Sequence, residues 1–114
     1  MKNLILVICF LTIIGCNNAQ DRVNADETIT YANNITTYNN KPYTGIIFKL
    51  YKNGELAWEQ NLQDGKSDGI FKQWHENGQL SYIANYKEGK KEGEYKTYDK
   101  EGNLFMEANY KDGK

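Results

Sequence analysis

The sequence predicts an all-β fold of tandem β-hairpin repeats forming a single elongated antiparallel meander sheet. Three observations predict it. Glycine recurs every 24 residues in three series: Gly45, Gly69, Gly93; Gly54, Gly78, Gly102; and Gly65, Gly89, Gly113. Large apolar residues share the spacing, in the sets Leu50, Trp74, Tyr98; Leu56, Leu80, Leu104; Trp58, Tyr82, Met106; and Leu62, Tyr86, Tyr110. Between the glycines, apolar and polar residues alternate with the period of two that sends successive side chains to opposite faces of a strand. A repeat of this length is one supersecondary unit that cannot bury an apolar face alone, so copies must stack.

The first residues stand apart from that pattern. Lys2 precedes an apolar run from Leu4 to Ile14, after which Asn17, Asn18, Gln20, Asp21 and Arg22 are polar. The run is too short for a transmembrane helix, which needs about 20 residues. It has the length of a signal-peptide h-region, so residues 1–15 read as a signal peptide. Ile13-Ile14-Gly15-Cys16 resembles a bacterial lipobox, in which a small residue precedes a Cys that is acylated and becomes the mature N-terminus. The resemblance implies lipid on Cys16 and a lipid-anchored protein of the bacterial cell envelope. The competing reading is cleavage after Ala19 and release of a soluble secreted or periplasmic protein. Cys9 and Cys16 are the only cysteines. With Cys9 removed and Cys16 acylated, the mature chain has no thiol for a disulfide or a metal.

Residues 16–41 then read as a lipidated Cys, a polar tether over Asn17 to Asp26, and a capping strand. Thr28 to Tyr31 and Ile35 to Tyr38 have strand character. Tyr38 lies 24 residues before Leu62, so a degenerate half-repeat is expected to begin the sheet. Pro42 is expected outside the strands, since it cannot donate to a sheet ladder.

Residues 42–114 hold three hairpin repeats, 45–68, 69–92 and 93–114. In each, the second strand alternates: Leu56, Trp58 and Leu62 against Glu59 and Asn61; Leu80, Tyr82, Ala84 and Tyr86 against Ser81 and Asn85; Leu104, Met106, Ala108 and Tyr110 against Glu107 and Asn109. Ile83 and Phe105 break the alternation. The strands of a hairpin join through Lys52-Asn53-Gly54, Glu76-Asn77-Gly78 or Lys100-Glu101-Gly102. A two-residue turn would set Leu50 against Ala57. A three-residue turn with glycine in the left-handed bulge position sets Leu50 against Leu56, Trp74 against Leu80 and Tyr98 against Leu104, so it is preferred. Between hairpins run the polar connections Asp64 to Asp68 and Glu88 to Glu92, with Asp112-Gly113-Lys114 as the third.

The stretch Gly-x-Phe-Lys-x-Trp-x-x-Asn-Gly-x-Leu from Gly69 to Leu80, and Tyr86 to Gly93, resemble the MORN-variant repeat and the repeats of YwqK-like antitoxins. The resemblance covers about residues 43–114. It implies an elongated sheet of hairpins that binds proteins or membrane, and it supplies no catalytic residue. The antitoxin label implies a cytoplasmic partner, at odds with a secretion signal.

The residues themselves assemble no catalytic site. His75, the one histidine, occupies the position of Tyr51 and Asp99 in the other copies. It reads as a surface or cross-strand residue, not a ligand or base. Asp64, Glu88 and Asp112 recur with the repeat, which points to turn chemistry. Ser67 and Ser81 have no base nearby. Gly65-Lys66-Ser67 belongs to the repeat rather than to a phosphate loop. No cofactor, metal or small-molecule substrate is expected, and a net charge of −1 argues against nucleic acid.

Trp58, Trp74, Tyr82, Tyr86, Tyr98 and Tyr110 supply either the apolar face of a small sheet or a candidate interaction face. The edge from Asn103 to Tyr110 is either blunted by Glu107, Lys111 and Asp112 or open to a strand from another chain. The leading expectation is a non-enzymatic, lipid-anchored envelope protein that binds an unknown protein. The alternatives are an antitoxin- or immunity-like inhibitor of a toxin and a membrane-surface-binding module.

Overall fold

The computed structural model describes residues 21–27 and 29–114. The segment read as a signal peptide, with Cys16 and Ala19, lies outside the described residues. Ten strands follow in order: β1 (Arg22–Asn24), β2 (Ile29–Ala32), β3 (Ile35–Tyr38), β4 (Lys41–Pro42), β5 (Gly45–Leu50), β6 (Leu56–Gln63), β7 (Lys66–Trp74), β8 (Leu80–Lys87), β9 (Lys90–Tyr98) and β10 (Leu104–Tyr110). Seven make one sheet in the order β1-β5-β6-β7-β8-β9-β10, and β2-β3-β4 make a second, small sheet. From β5 onward the large sheet is the antiparallel meander of hairpins that the repeat predicts.

The hairpin turns follow from their glycines. Tyr51 N–H donates to Glu55 O at 2.8 Å and Gly54 N–H to Tyr51 O at 2.9 Å. Gly54 takes φ 89°. This is the three-residue turn closed by a glycine bulge, and Leu50 lies opposite Leu56. Trp74 opposite Leu80 and Tyr98 opposite Leu104 repeat it. The connections between hairpins are tighter than expected. Asp64-Gly65, Glu88-Gly89 and Asp112-Gly113 each have two positive φ values. They are two-residue turns of the primed kind, whose twist suits the strands they join. Lys66 and Lys90 accordingly already belong to strands. Successive turns are also tied: Gly65, Gly89 and Gly113 donate N–H to the carbonyls of Tyr43, Ser67 and Lys91 at 2.8, 2.8 and 3.0 Å.

Three expectations for the N-terminal part are corrected. The stretch read as tether contains β1, which pairs parallel with β5 and buries Val23. The segment read as a half-repeat does not begin the large sheet; β2 to β4 fold back as a separate layer. Asn33-Asn34 and Asn39-Asn40 make that compact form possible, since all four adopt positive φ, which Asn tolerates. Pro42 lies inside a strand, the two-residue β4 at the edge of the small sheet, where a missing N–H leaves no ladder bond unmade.

The small sheet covers one end of the large one. Val23, Tyr43, Ile47 and Leu62 form the buried core there, with Ala25, Ile29, Tyr38 and Trp58 packed against it. Tyr38 and Tyr43 meet edge to face at 5.7 Å. Burial, followed by the nearby Asp21, raises the pKa of the Tyr43 phenol. The molecule measures 57 × 34 × 25 Å, so most of the sheet extends beyond this core.

Candidate interaction face

Register decides which side chains share a face. In β6, Trp58 lies opposite Lys49 while Leu56 lies opposite Leu50, and the pairing shifts by one residue between them. Ala57 is the extra residue of a β-bulge. The same shift occurs at Ser81 in β8 and at Phe105 in β10. A bulge inserts one residue and so moves all that follow to the other face relative to simple alternation. Leu56, Leu80 and Leu104 therefore lie on the face opposite Trp58, Tyr82 and Met106, not beside them as strict alternation implies. Ile83 is then no exception: it shares the reverse face with Leu80 and Trp74.

Of the six aromatic residues expected to form one interaction face, the structure brings four together. Trp58, Tyr82, Tyr86 and Tyr110 share a face; Trp74 and Tyr98 lie on the reverse. The four are joined by Phe71 and Tyr95, which sequence reasoning missed. Their signal was present, since Ile47, Phe71 and Tyr95 form another set with the 24-residue spacing.

Together these rings form a ladder running strand to strand, with one ring or more from each of β6 to β10. Trp58 stacks on Phe71 at 6.1 Å, 20° from parallel. Phe71 meets Tyr82 at 5.4 Å and Tyr86 at 6.4 Å, both edge to face. Tyr82 meets Tyr95 at 5.2 Å, and Tyr95 meets Tyr110 at 5.7 Å. Edge-to-face geometry sets the positive rim of one ring on the negative face of the next. Ala84, 1 % exposed, lies opposite both Phe71 and Tyr95, where a small side chain lets the flanking rings close over it. At the far end Lys91 Nζ sits 4.6 Å above Tyr95 and 4.9 Å from the centre of Tyr110. The hydroxyls of Tyr82 and Tyr86 are 3.4 Å apart. Burial, followed by that contact, raises the Tyr82 phenol far above its ordinary pKa, so it stays neutral and a donor.

The N-terminal end of this ladder lies under the small sheet. From Phe71 outward the rings are half-buried, with nothing among the described residues layered over them. Beside the small sheet an open cleft of about 520 Å³ is lined by Tyr31, Asn34, Gln60, Ser67, Lys66 and Lys90, among others. Gln60 and Ser67 bond one another across it. The reverse face carries shallow depressions of about 250 Å³, one at Leu56 and Trp74 and one at Leu80, Ile83 and Tyr98.

The residues weighed for chemistry serve the scaffold. His75 Nε2–H donates to Tyr98 O at 2.9 Å, just as Tyr51 hydroxyl donates to Trp74 O at 2.5 Å one repeat earlier. This position ties one hairpin to the next. In the third copy Asp99 instead closes its own turn, accepting from the N–H of Glu101 at 3.0 Å and of Asn103 at 2.9 Å. Those donors, the Asn103 backbone above all, hold the Asp99 carboxyl below the usual carboxylate pKa. Asp64, Glu88 and Asp112 sit in turns, and their N–H groups donate to Thr44, Asp68 and Glu92 side chains. Among the described residues no group of three or more His, Cys, Asp or Glu could hold a metal ion.

Residues 67–88 and 91–112 match the MORN repeat variant family. The two matched segments are adjacent. They span β7 to β8 and β9 to β10, and the β5–β6 hairpin repeats their turn geometry one period earlier. MORN repeats are generally associated with modules that interact with membranes or proteins. No curated protein and no solved structure matches the chain.

Proposed function

We propose that the protein is a non-enzymatic module of the bacterial cell envelope, tethered by lipid on Cys16, whose aromatic ladder binds a protein partner. The observation that carries this reading is the ladder itself, covered at the Trp58 end and open from Phe71 to Tyr110. Aromatic rings with polar tips are the side chains that anchor protein interfaces, because they contribute large contact area at little entropic cost. The general association of MORN repeats with interaction modules supports the same reading. A net charge of −1 favours a protein over an anionic lipid surface, which is bound through clustered Lys and Arg. The anchor rests on Gly15-Cys16 behind the apolar run.

Two measurements on the full chain in bacteria test the two halves. A labelled fatty acid is expected on the wild type and absent from Cys16→Ala; label on neither removes the anchor. A photo-reactive residue at position 86, on the ladder face, is expected to cross-link one protein that position 85, on the reverse face, does not reach. Equal cross-linking from both positions, or none from either, rules out the ladder as the binding face.

A further inference from the structure

We infer that the outer edge of β10 pairs with the same edge of a second copy, forming a two-fold symmetric dimer with a continuous sheet. The inference stands apart from the partner reading above, since it concerns an edge and not a face.

The two edges of the large sheet differ. One ends in β1, three residues long and parallel to its neighbour. The other is β10, seven residues long, with no strand on its outer side among the described residues. A head-to-tail stack would set seven residues against three, whereas β10 against β10 matches in length. The edge is also apolar. Of the six large apolar side chains exposed among the described residues, Leu104 (51 %), Phe105 (75 %) and Met106 (48 %) lie consecutively on β10. Edges left alone are normally blunted by charge; within β10 the one charged residue is Glu107.

Backbone direction narrows the register. Asp99 N–H bonds Asn103 O at one end of the β9–β10 pair, and Gly113 N–H bonds Lys91 O at the other. Alternation between these points turns the N–H and C=O of Ala108 and Tyr110 toward β9, and those of Glu107 and Asn109 outward. Three two-fold registers let these outward groups bond. Centring on Glu107 opposes two carboxylates. Centring on Asn109 sets Met106 against Asp112, beyond the strand. Centring on Ala108 pairs Glu107 with Asn109 twice and Met106 with Tyr110 twice. That register uses every strand residue past the bulge and opposes no like charges. It also sets Tyr110, the last ring of each ladder, beside Met106 of the other copy.

Analytical ultracentrifugation of the full chain in mild detergent tests this. The wild type is expected to dimerise. Asn109→Glu sets two carboxylates against Glu107 of the other copy at two places, and should weaken the dimer by roughly tenfold. The pair Glu107→Lys with Asn109→Glu should restore it. Across the β9–β10 pair the two new charges face like charges, Lys96 and Glu94, so recovery reports contact between chains. Asn85→Glu places the same charge at the same repeat position inside the sheet and should leave the dimer intact. Circular dichroism checks that each variant folds. A wild type that stays monomeric up to its solubility limit overturns the inference. So does a dimer indifferent to Asn109→Glu, or one that the double substitution fails to restore.

Discussion

Two glycines at one repeat position show how much a single residue's surroundings add to its backbone. Gly65 and Gly89 have nearly the same φ, 83° and 85°. A Cβ on Gly89 would meet nothing within 4 Å, whereas one on Gly65 would lie 2.6 Å from Ile35 Cγ2 and 2.8 Å from Thr36 O. Gly89→Ala should therefore cost only the left-handed backbone penalty, about 1–2 kcal/mol. Gly65→Ala should cost roughly 3 kcal/mol or more, because the small sheet must move. Urea unfolding of both variants measures the difference, and equal costs would mean that the small sheet is not seated on this turn. Asp99 offers a second test at this scale. Its carboxyl pKa is lower folded than unfolded, so the charged form stabilises the fold above the unfolded pKa. That contribution is lost as pH falls through the folded pKa. The stability gap between wild type and Asp99→Ala is expected at neutral pH and should close in acid below the usual carboxylate range. A gap unchanged by acid would assign the effect to something other than the carboxylate.

At the scale of strands, the ladder makes a graded prediction. Phe71 touches three rings, while Tyr110 touches Tyr95 and the Lys91 ammonium. Phe71→Ala should destabilise by about 2–3 kcal/mol and Tyr110→Ala by about 1 kcal/mol in chemical denaturation. Equal losses would mean that the rings act singly and not as a connected row. The same strands show what could be read beforehand. Turn positions and hairpin register were legible because glycine is constrained by its own φ, and because pairing Leu50 with Leu56 was better than the alternatives. Facing was not. Ala57, Ser81 and Phe105 are ordinary strand residues by type, and the bulge each one forms depends on pairing with the strand beside it. That hidden shift divided the expected aromatic face, placing Trp74 and Tyr98 on the reverse. Phe71 and Tyr95 were readable from the spacing and were passed over for the clearer alternation of the second strands. The fold-back of β2 to β4 depends on a long-range fit to Trp58 and Leu62, which no local pattern encodes.

Across the whole molecule, stability is distributed unevenly along the sheet. Each strand of the large sheet is hydrogen-bonded only to its immediate neighbours, so each hairpin depends on the one before it. The radius of gyration, 17.3 Å, exceeds the roughly 13 Å of a compact domain of this length, as expected of a stack with no central core. The buried cluster sits at one end, where Val23 and Tyr43 close over Ile47 and Leu62. The two ends should therefore respond differently to deletion. Removing residues 93–114 takes away β10 and all but the first three residues of β9, the last two rings of the ladder and the contacts of Lys91, but leaves the core and its cover. The shortened chain should still unfold cooperatively, with a denaturant slope smaller by roughly a quarter, since that slope follows the surface exposed. Removing residues 21–44 instead strips the cover from Ile47, Leu62 and Trp58 and leaves both edges of the sheet open. That chain should lose its near-ultraviolet dichroism and aggregate, because an uncovered apolar face cannot be buried by the remaining hairpins. If the second deletion folds as well as the first, the repeats are self-sufficient and the small sheet is an ornament on them. If neither folds, the hairpins form one cooperative unit, and the graded stability argued from their contacts is wrong.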